Sequence, residues 1–385
     1  MDLALFNVKD GFPEALVRGF RQSLLTPEDY RRMGMAETLE DLRTALEDSD
    51  YGNFLQDEPS PLTVATITAR CREKHAEEFL FLRSQCGQPA VKFLDFITQE
   101  KMVDNLVSLV QGAINKKPVD ELISKTDPLG WFAEMKAVAA LDVSAGYDEL
   151  YRTVLIDSPV APYFERYLNQ FQADGQGQRT LHDVDHILNE LDLEVLRNSL
   201  KKSWLEDFYT FCQTLDSTTA EVMSHILKTE ADYRVLTVTL NTLNQEGSQD
   251  VSDRMALYPN FGYLYPEGTD KIRKAFNETT LRAALDGYAP YIELFDQCKG
   301  LYLNDDEGGP DPDAASLNTL EDLIYKRNVQ SFEMAFEQQM HFGVYYAWAK
   351  LREQEIRNIT WIADMIVMSR REHIDNIIPL FAPRI

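Results

Sequence analysis

Between Leu193 and Phe211 apolar residues return at every third or fourth position: Val195, Leu196, Leu200, Trp204, Leu205 and Phe208. That spacing winds into one broad stripe on an α-helix. Helix starts are signalled elsewhere by capping chemistry. Thr26-Pro27-Glu28-Asp29 supplies an N-cap, a proline at the first helical position and an acidic third position. Thr38-Leu39-Glu40-Asp41 repeats the box, with Leu39, Leu42 and Leu46 following on one face. Thr218 with Glu221 predicts a further start.

One stretch reads two ways. In Arg234 to Leu243, "RVLTVTLNTL", Leu236, Val238 and Leu240 alternate with threonines as in a strand, yet Leu236, Leu240 and Leu243 also fit a helical stripe. No second convincing strand offers itself for pairing, and a lone strand would leave its backbone unsatisfied, so the segment is predicted helical. Connections are marked by Ala173 to Thr180, Glu246 to Asp253 and the acidic, Gly- and Pro-rich Asn304 to Ser316. The fold class expected is therefore all-α.

A short echo recurs three times: "ALEDSDYGNFL" (Ala45 to Leu55), "VLIDSPVAPYF" (Val154 to Phe164) and "ALDGYAPYIELF" (Ala284 to Phe295). Each ends a helix at Asp plus Ser or Gly, turns, and resumes with aromatics. Asp48, Asp157 and Asp286 lie roughly a hundred to a hundred and thirty residues apart, which suggests triplication of a helical module.

Composition narrows the role. The 385 residues are 44% hydrophobic, ample for a packed core, and carry a formal net charge of −25. That field repels nucleic acid and anionic lipid. Cys71, Cys86, Cys212 and Cys298 form no CxxC pair and read as reduced thiols of a cytosolic protein. No run approaches the ~18 apolar residues of a bilayer span. The first residues carry no signal-peptide pattern.

Catalytic patterns are missing. There is no GxxxxGK[ST], no GxGxxG after a strand, no HExxH and no GxSxG. His182 and His186 stand at i, i+4 and could grip a divalent metal, but a solvated helix start explains them better. Asp305-Asp306-Glu307 with Asp311 resembles the aspartate-rich motifs of all-α prenyl-diphosphate enzymes. There, carboxylates one turn apart hold magnesium; here Gly308, Gly309 and Pro310 break any shared helix face. A magnesium-dependent diphosphate enzyme therefore stands only as the alternative, beside a cytosolic scaffold of another complex. No catalytic, cofactor or metal residue is assigned.

The C-terminal "YAWAKLREQEIRNITWIADMI" (Tyr346 to Ile366) resembles the last helix of subunit d of the eukaryotic vacuolar-type proton ATPase. In family order, "NVKDGF" (Asn7 to Phe12), "DYGNFL" (Asp50 to Leu55), "DPLGWF" (Asp127 to Phe132), "EADYR" (Glu230 to Arg234) and "LYPEG" (Leu264 to Gly268) resemble it too. The resemblance implies a single funnel-shaped domain over residues 1–385, built of three similar helical modules, without cofactor. It implies a non-catalytic coupling subunit, one copy per complex, on the cytosolic face of vacuolar and other endomembranes or the plasma membrane. Its partners would be the proteolipid ring, central-stalk subunits D and F, and subunit a as a further candidate. Many members carry cysteine where this chain has Ala36 and Met365, so no thiol behaviour is carried over to those positions.

Placed on a helix, Ile356, Ile359, Ala363 and Ile366 make one apolar stripe, and Leu351, Glu355, Asn358, Ile362 and Met365 an adjoining one. Glu353 can pair with Arg357 at i, i+4. Packing both stripes carries Glu355 and Asn358 inside, where they need partners. The expected structural polar joint comprises Glu230, Asp232, Arg234, Glu355, Arg357 and Asn358, with Glu355 or Asn358 bonding to the Glu230–Arg234 helix.

Overall fold

A computed structural model describes residues 3–140, 156–173, 190–243, 251–298 and 319–381. Helices α1 (Leu3–Gln22), α2 (Pro27–Gly34), α3 (Leu39–Leu46), α4 (Gly52–Leu55) and α5 (Val64–Ser84) come first. They are followed by α6 (Ala90–Ile114), α7 (Val119–Ser124), α8 (Met135–Ala139), α9 (Ala161–Ala173) and α10 (Glu190–Cys212). Then come α11 (Ser217–Asn241), α12 (Val251–Leu257) and α13 (Glu267–Ile272). The chain closes with α14 (Glu278–Ala284), α15 (Ala289–Gln297), α16 (Leu320–Ala335) and α17 (Gly343–Val367). The fold is all-α, with no strand among the described residues. The residues gather into two compact units. One holds Met1–Ala90, Asp216–Val222 and Thr279–Ile385; the other holds Val91–Leu215 and Met223–Glu278.

The local chemistry explains where helices begin. Thr26 and Thr38 cap α2 and α3, each in a reciprocal box with Asp29 or Asp41. The cap expected at Thr218 lies instead two residues earlier. Asp216 accepts the Thr219 amide at 2.9 Å and its hydroxyl at 2.8 Å, so α11 begins at Ser217. A carboxylate at that end also meets the positive pole of the helix, an advantage Thr218 lacks. The ambiguous "RVLTVTL" is helical inside α11, with Leu236 and Leu240 buried, and Leu243 is buried in the turn just beyond its end. Its threonines are accommodated because Thr239 and Thr242 donate their hydroxyls back to Val235 O (2.6 Å) and Val238 O (2.9 Å).

In the first unit α17 is the central element, packed by α1, α3, α5 and α16. Tyr345 to Ala349 are all fully buried, as expected of a helix apolar on every side. Further along, both stripes read from the sequence are buried, joining Tyr30, Met33, Leu42, Leu46, Tyr51 and Ile67 in one core. In the second unit α6 and α10 meet through aromatics. Phe208 stacks on Phe96 (5.1 Å) and edges Phe93 (5.2 Å), and Trp204 Nε1 donates to Phe96 O at 2.7 Å. The three echo segments each resume helix after their turn, at Gly52, Ala161 and Ala289, and each buries a tyrosine: Tyr51, Tyr163 and Tyr291. The loops at 174–180, 246–250 and 304–316, the His182/His186 pair and the Asp305–Asp311 cluster lie outside the described residues.

The turn between α16 and α17 is latched by α1. Glu14 accepts the Met340 amide at 2.9 Å and Arg18 at 2.8 Å, and Arg18 donates on to Phe336 O at 3.0 Å. His341 is fully buried beneath this latch, its Nε2 donating to Ala335 O at 3.1 Å. Burial pulls the imidazole pKa below 6.5 and Arg18 adds to that, while Glu14 opposes. The unfolded chain therefore binds a proton more readily than the folded one. Stability from this group is present above about pH 6.5 and is lost as pH falls towards the folded-state pKa. Urea midpoints should decline from pH 7.5 to 5.5, and His341→Gln should flatten part of that decline.

Candidate functional site

The helical frame carries a buried cation that the expected joint did not include. Arg352 lies on the same buried stripe of α17 as Tyr345, Trp348 and Glu355, and both it and Glu355 are 0% exposed. Its Nη1 donates to Glu355 Oε1 at 2.6 Å and to the Tyr51 hydroxyl at 3.3 Å. Its Nη2 donates to Ser23 Oγ at 3.1 Å and Glu78 Oε2 at 3.2 Å. Glu355 Oε1 also accepts the Tyr51 hydroxyl at 2.6 Å, and Oε2 accepts the Leu25 amide. Lys74, buried on α5, closes the circuit by bonding Glu78 and standing 3.5 Å from Asp50.

Each buried cation of this cluster meets carboxylates directly, which is what permits its burial. Burial alone would lower the Arg352 pKa, but Tyr51, Glu355 and Glu78 more than reverse it, so the guanidinium stays charged. Burial and the Glu355 carboxylate push the Tyr51 phenol far above its ordinary range, so it remains a hydrogen-bond donor.

One turn further, Asn358 spends its whole amide. Nδ2 donates to Ile378 O (2.7 Å) and the Tyr30 hydroxyl (3.2 Å). Oδ1 accepts Gln354 Nε2 (3.0 Å) and the Ile378 amide (3.2 Å). It thereby fastens the C-terminal segment and α2 onto α17. Arg357 points outward, its guanidinium 3.5 Å from the centre of the Tyr325 ring on α16, and Glu353 stands 3.5 Å from Lys350 Nζ.

The remaining expected residues belong to the second unit. Asp232, 0% exposed on α11, accepts the amides of Tyr263 (2.9 Å) and Leu264 (3.1 Å). Gly262 precedes them with φ +138°, and a Cβ there would meet Asp232 Oδ1 at 2.3 Å, so only glycine fits this turn. Glu230 and Arg234 are half-buried on the same helix. The six expected residues thus divide between the two units. Glu355 finds its partners at Arg352, Tyr51 and Leu25, and Asn358 at Tyr30, Gln354 and Ile378, in place of the Glu230–Arg234 turn. The reason is proximity: Arg352 is one helical turn from Glu355 and supplies the counter-charge locally. A signal for it exists in the chain, since Tyr345, Trp348, Arg352, Glu355, Ile359 and Ile362 alternate by three and four.

Chemically the arrangement holds rather than reacts. Arg352 and Glu355 are committed to each other, to Glu78 and to neutral donors and acceptors. The cysteines are equally quiescent: burial pushes Cys71 up to about 12 and Cys86 and Cys298 up to about 11, and raises Cys212 further. Among the described residues no group of three or more His, Cys, Asp or Glu is placed to hold a metal ion.

Residues 13–377 match the ATP synthase (C/AC39) subunit family. The V-type proton ATPase subunit d of Neurospora crassa is 39% identical, covering 99% of this chain and 100% of its own. That of Dictyostelium discoideum is 38% identical over 98% of this chain and 97% of its own. That of Saccharomyces cerevisiae is 34% identical over 99% and 100%.

Two measurements test the site. Arg352→Met should cost about 3–5 kcal/mol in urea unfolding, because it strands the Glu355 and Glu78 carboxylates. Combined with Glu355→Gln it should cost less than the two single losses together, with a coupling of about 0.5–3 kcal/mol in the double-mutant cycle. Separately, mass spectrometry of maleimide-treated native protein should show all four cysteines labelling slowly at pH 7.5. Cys86 and Cys298 should lag a free thiol about a hundredfold, and denaturant should release all four.

Proposed function

We propose, from the premise that this chain belongs to the ATP synthase C/AC39 family and to its V-type proton ATPase subunit d branch, that it couples the central rotor stalk to the proteolipid ring. It is a non-catalytic subunit of the V-type proton ATPase complex. The observation that carries the reading is the relationship to subunits d over 99% of this chain. In the proposal, one copy sits on the cytosolic face of the ring in an acidifying endomembrane, under stalk subunits D and F, with subunit a alongside. No helix among the described residues is long and apolar enough to cross a membrane, which suits a peripheral part. The funnel of three helical modules belongs to the same reading and draws support from the three echo turns.

A coupling part has to pass torque without shearing, and that demands stiffness rather than reactivity. The Arg352–Glu355 cluster fits the demand: directional bonds radiating from the fully buried Arg352 and Glu355 tie α17 to α5 and to the residues flanking α1 and α4. No observation favours the magnesium-dependent diphosphate enzyme. Affinity purification of the tagged chain from gently solubilised membranes should recover proteolipid together with subunits D and F. Recovery of the chain with neither would sink the proposal.

A further inference from the structure

Beside the end of α1 the first unit leaves a cavity of about 360 Å³. Leu24, Leu25, Pro27, Leu380 and Phe381 give it apolar walls, and Arg21, Gln22 and Thr26 are the polar side chains on it. The Thr26 hydroxyl is already spent on Asp29 in the cap of α2. Arg21 is not spent. Its guanidinium carbon lies 4.4 Å from the centre of the Phe381 ring and 5.2 Å from that of Phe336, and those rings steady it. Among the described residues no carboxylate is paired with it, although the chain carries 63 acidic side chains against 38 basic ones. Its neighbour one turn earlier, Arg18, meets Glu14 at 2.8 Å, and Arg32, Arg70 and Arg352 in the same unit each meet a carboxylate.

The surroundings of Arg21 are fixed in advance. The Phe381 amide donates to Glu333 on α16, and the residue sits at φ +50°, a left-handed backbone that a bulky side chain rarely takes. Leu25 at the wall is held through its own amide by Glu355. Aromatic rings stack on the flat faces of a guanidinium, which leaves the N–H groups on its edge to bond in the plane, the geometry that suits a carboxylate. From this arrangement we infer that the cavity binds a small monocarboxylic acid with a compact apolar body. The carboxylate takes the Arg21 fork, and an aliphatic or aromatic group of about ten non-hydrogen atoms or fewer lies against Leu24, Leu380 and Phe381, in a space near the lower end of known ligand pockets. A multiply charged anion is disfavoured, because the last carbonyls of α1 put a negative pole at this end and Glu333 and Glu355 stand behind Phe381 and Leu25. A neutral apolar molecule would fill the walls and leave the guanidinium unanswered. The bound acid joins the end of α1 to the C-terminal segment. The inference goes beyond the coupling role and does not depend on it.

The test uses the full chain and three probes: phenylacetate, its neutral counterpart phenylacetamide, and acetate, which lacks the apolar body. In titration calorimetry at low salt phenylacetate should saturate in the millimolar range, with phenylacetamide and acetate each weaker by about tenfold or more. Arg21→Gln, checked for an unchanged urea midpoint, should weaken phenylacetate by a similar factor, and Arg21→Lys should recover part of the loss. Arg72→Gln, at an exposed position on α5, should leave binding unchanged. The inference is overturned if phenylacetate does not saturate or if phenylacetamide binds as well. It is equally overturned if Arg21→Gln has no effect, or if Arg72→Gln weakens binding as much as Arg21→Gln does. The comparison of probes on the unaltered chain decides the matter even where a variant does not fold.

Discussion

The buried Arg352 guanidinium is the group around which the first unit is arranged. Taking it and the Glu355 carboxylate out of water costs several kcal/mol for each ion, and the fold recovers that only by answering nearly every polar atom. Arg352 answers through Glu355, Tyr51, Ser23 and Glu78, residues drawn from four separate stretches of chain. An apolar pair of equal volume could fill the same space and hold comparable stability. It would fill it without choosing one sliding position of α17 over another. The charges do choose: a shift of one residue along the helix axis would move the guanidinium about 1.5 Å and rotate it away from Tyr51 and Ser23.

The second unit reaches order by a different use of buried polarity, in which single side chains capture backbone groups. Asp232 holds two successive amides of the 263–264 turn. Asn105 donates to Asp127 O and Gly130 O and accepts the Asp127 amide, each at 2.9 Å, fixing the turn that leads into Trp131. Arg254, 8% exposed, donates to Thr242 O at the end of α11 and to Arg273 O and Ala275 O beyond α13. A buried cation there answers carbonyls that a helix end leaves without donors, and it sits at the negative pole of both helices. Loops held this way are set by one residue each, whereas the Arg352 cluster is shared among several.

The division between what can and cannot be read from the chain follows from range. Helical stripes, the capping boxes at Thr26 and Thr38, and the burial of Glu355 and Asn358 depend on neighbours within one or two turns, and all are legible. The cap of α11 falls two residues before the expected one because Asp216 outcompetes Thr218, although both lie in the same short polar run. The partners of Glu355 differ from expectation for another reason. Tyr51 and Leu25 are some three hundred positions away, and nothing in a period of 3.6 residues specifies which distant helix will face a stripe. Arg352 is legible in principle, since its place between Trp348 and Glu355 on the buried stripe needs only counting.

Resistance to load follows from the same distinction between directional and non-directional contacts. Apolar packing such as Ile359 and Ile362 against Leu42 and Leu46 resists separation of helices but offers little resistance to sliding, because dispersion and hydrophobic burial change slowly with position. Hydrogen-bonded ions resist sliding, because their energy falls steeply with angle and distance in a medium of low dielectric. In α17 the two kinds are interleaved: Trp348 and Ile359 bracket Arg352 and Glu355, and Asn358 pins the C-terminal segment beside them. A subunit that relays torque meets shear along its helices rather than tension across them. Directional bonds at the centre of the longest buried helix of the first unit are where such shear is best opposed, and exposed ion pairs, softened by water and salt, could not replace them.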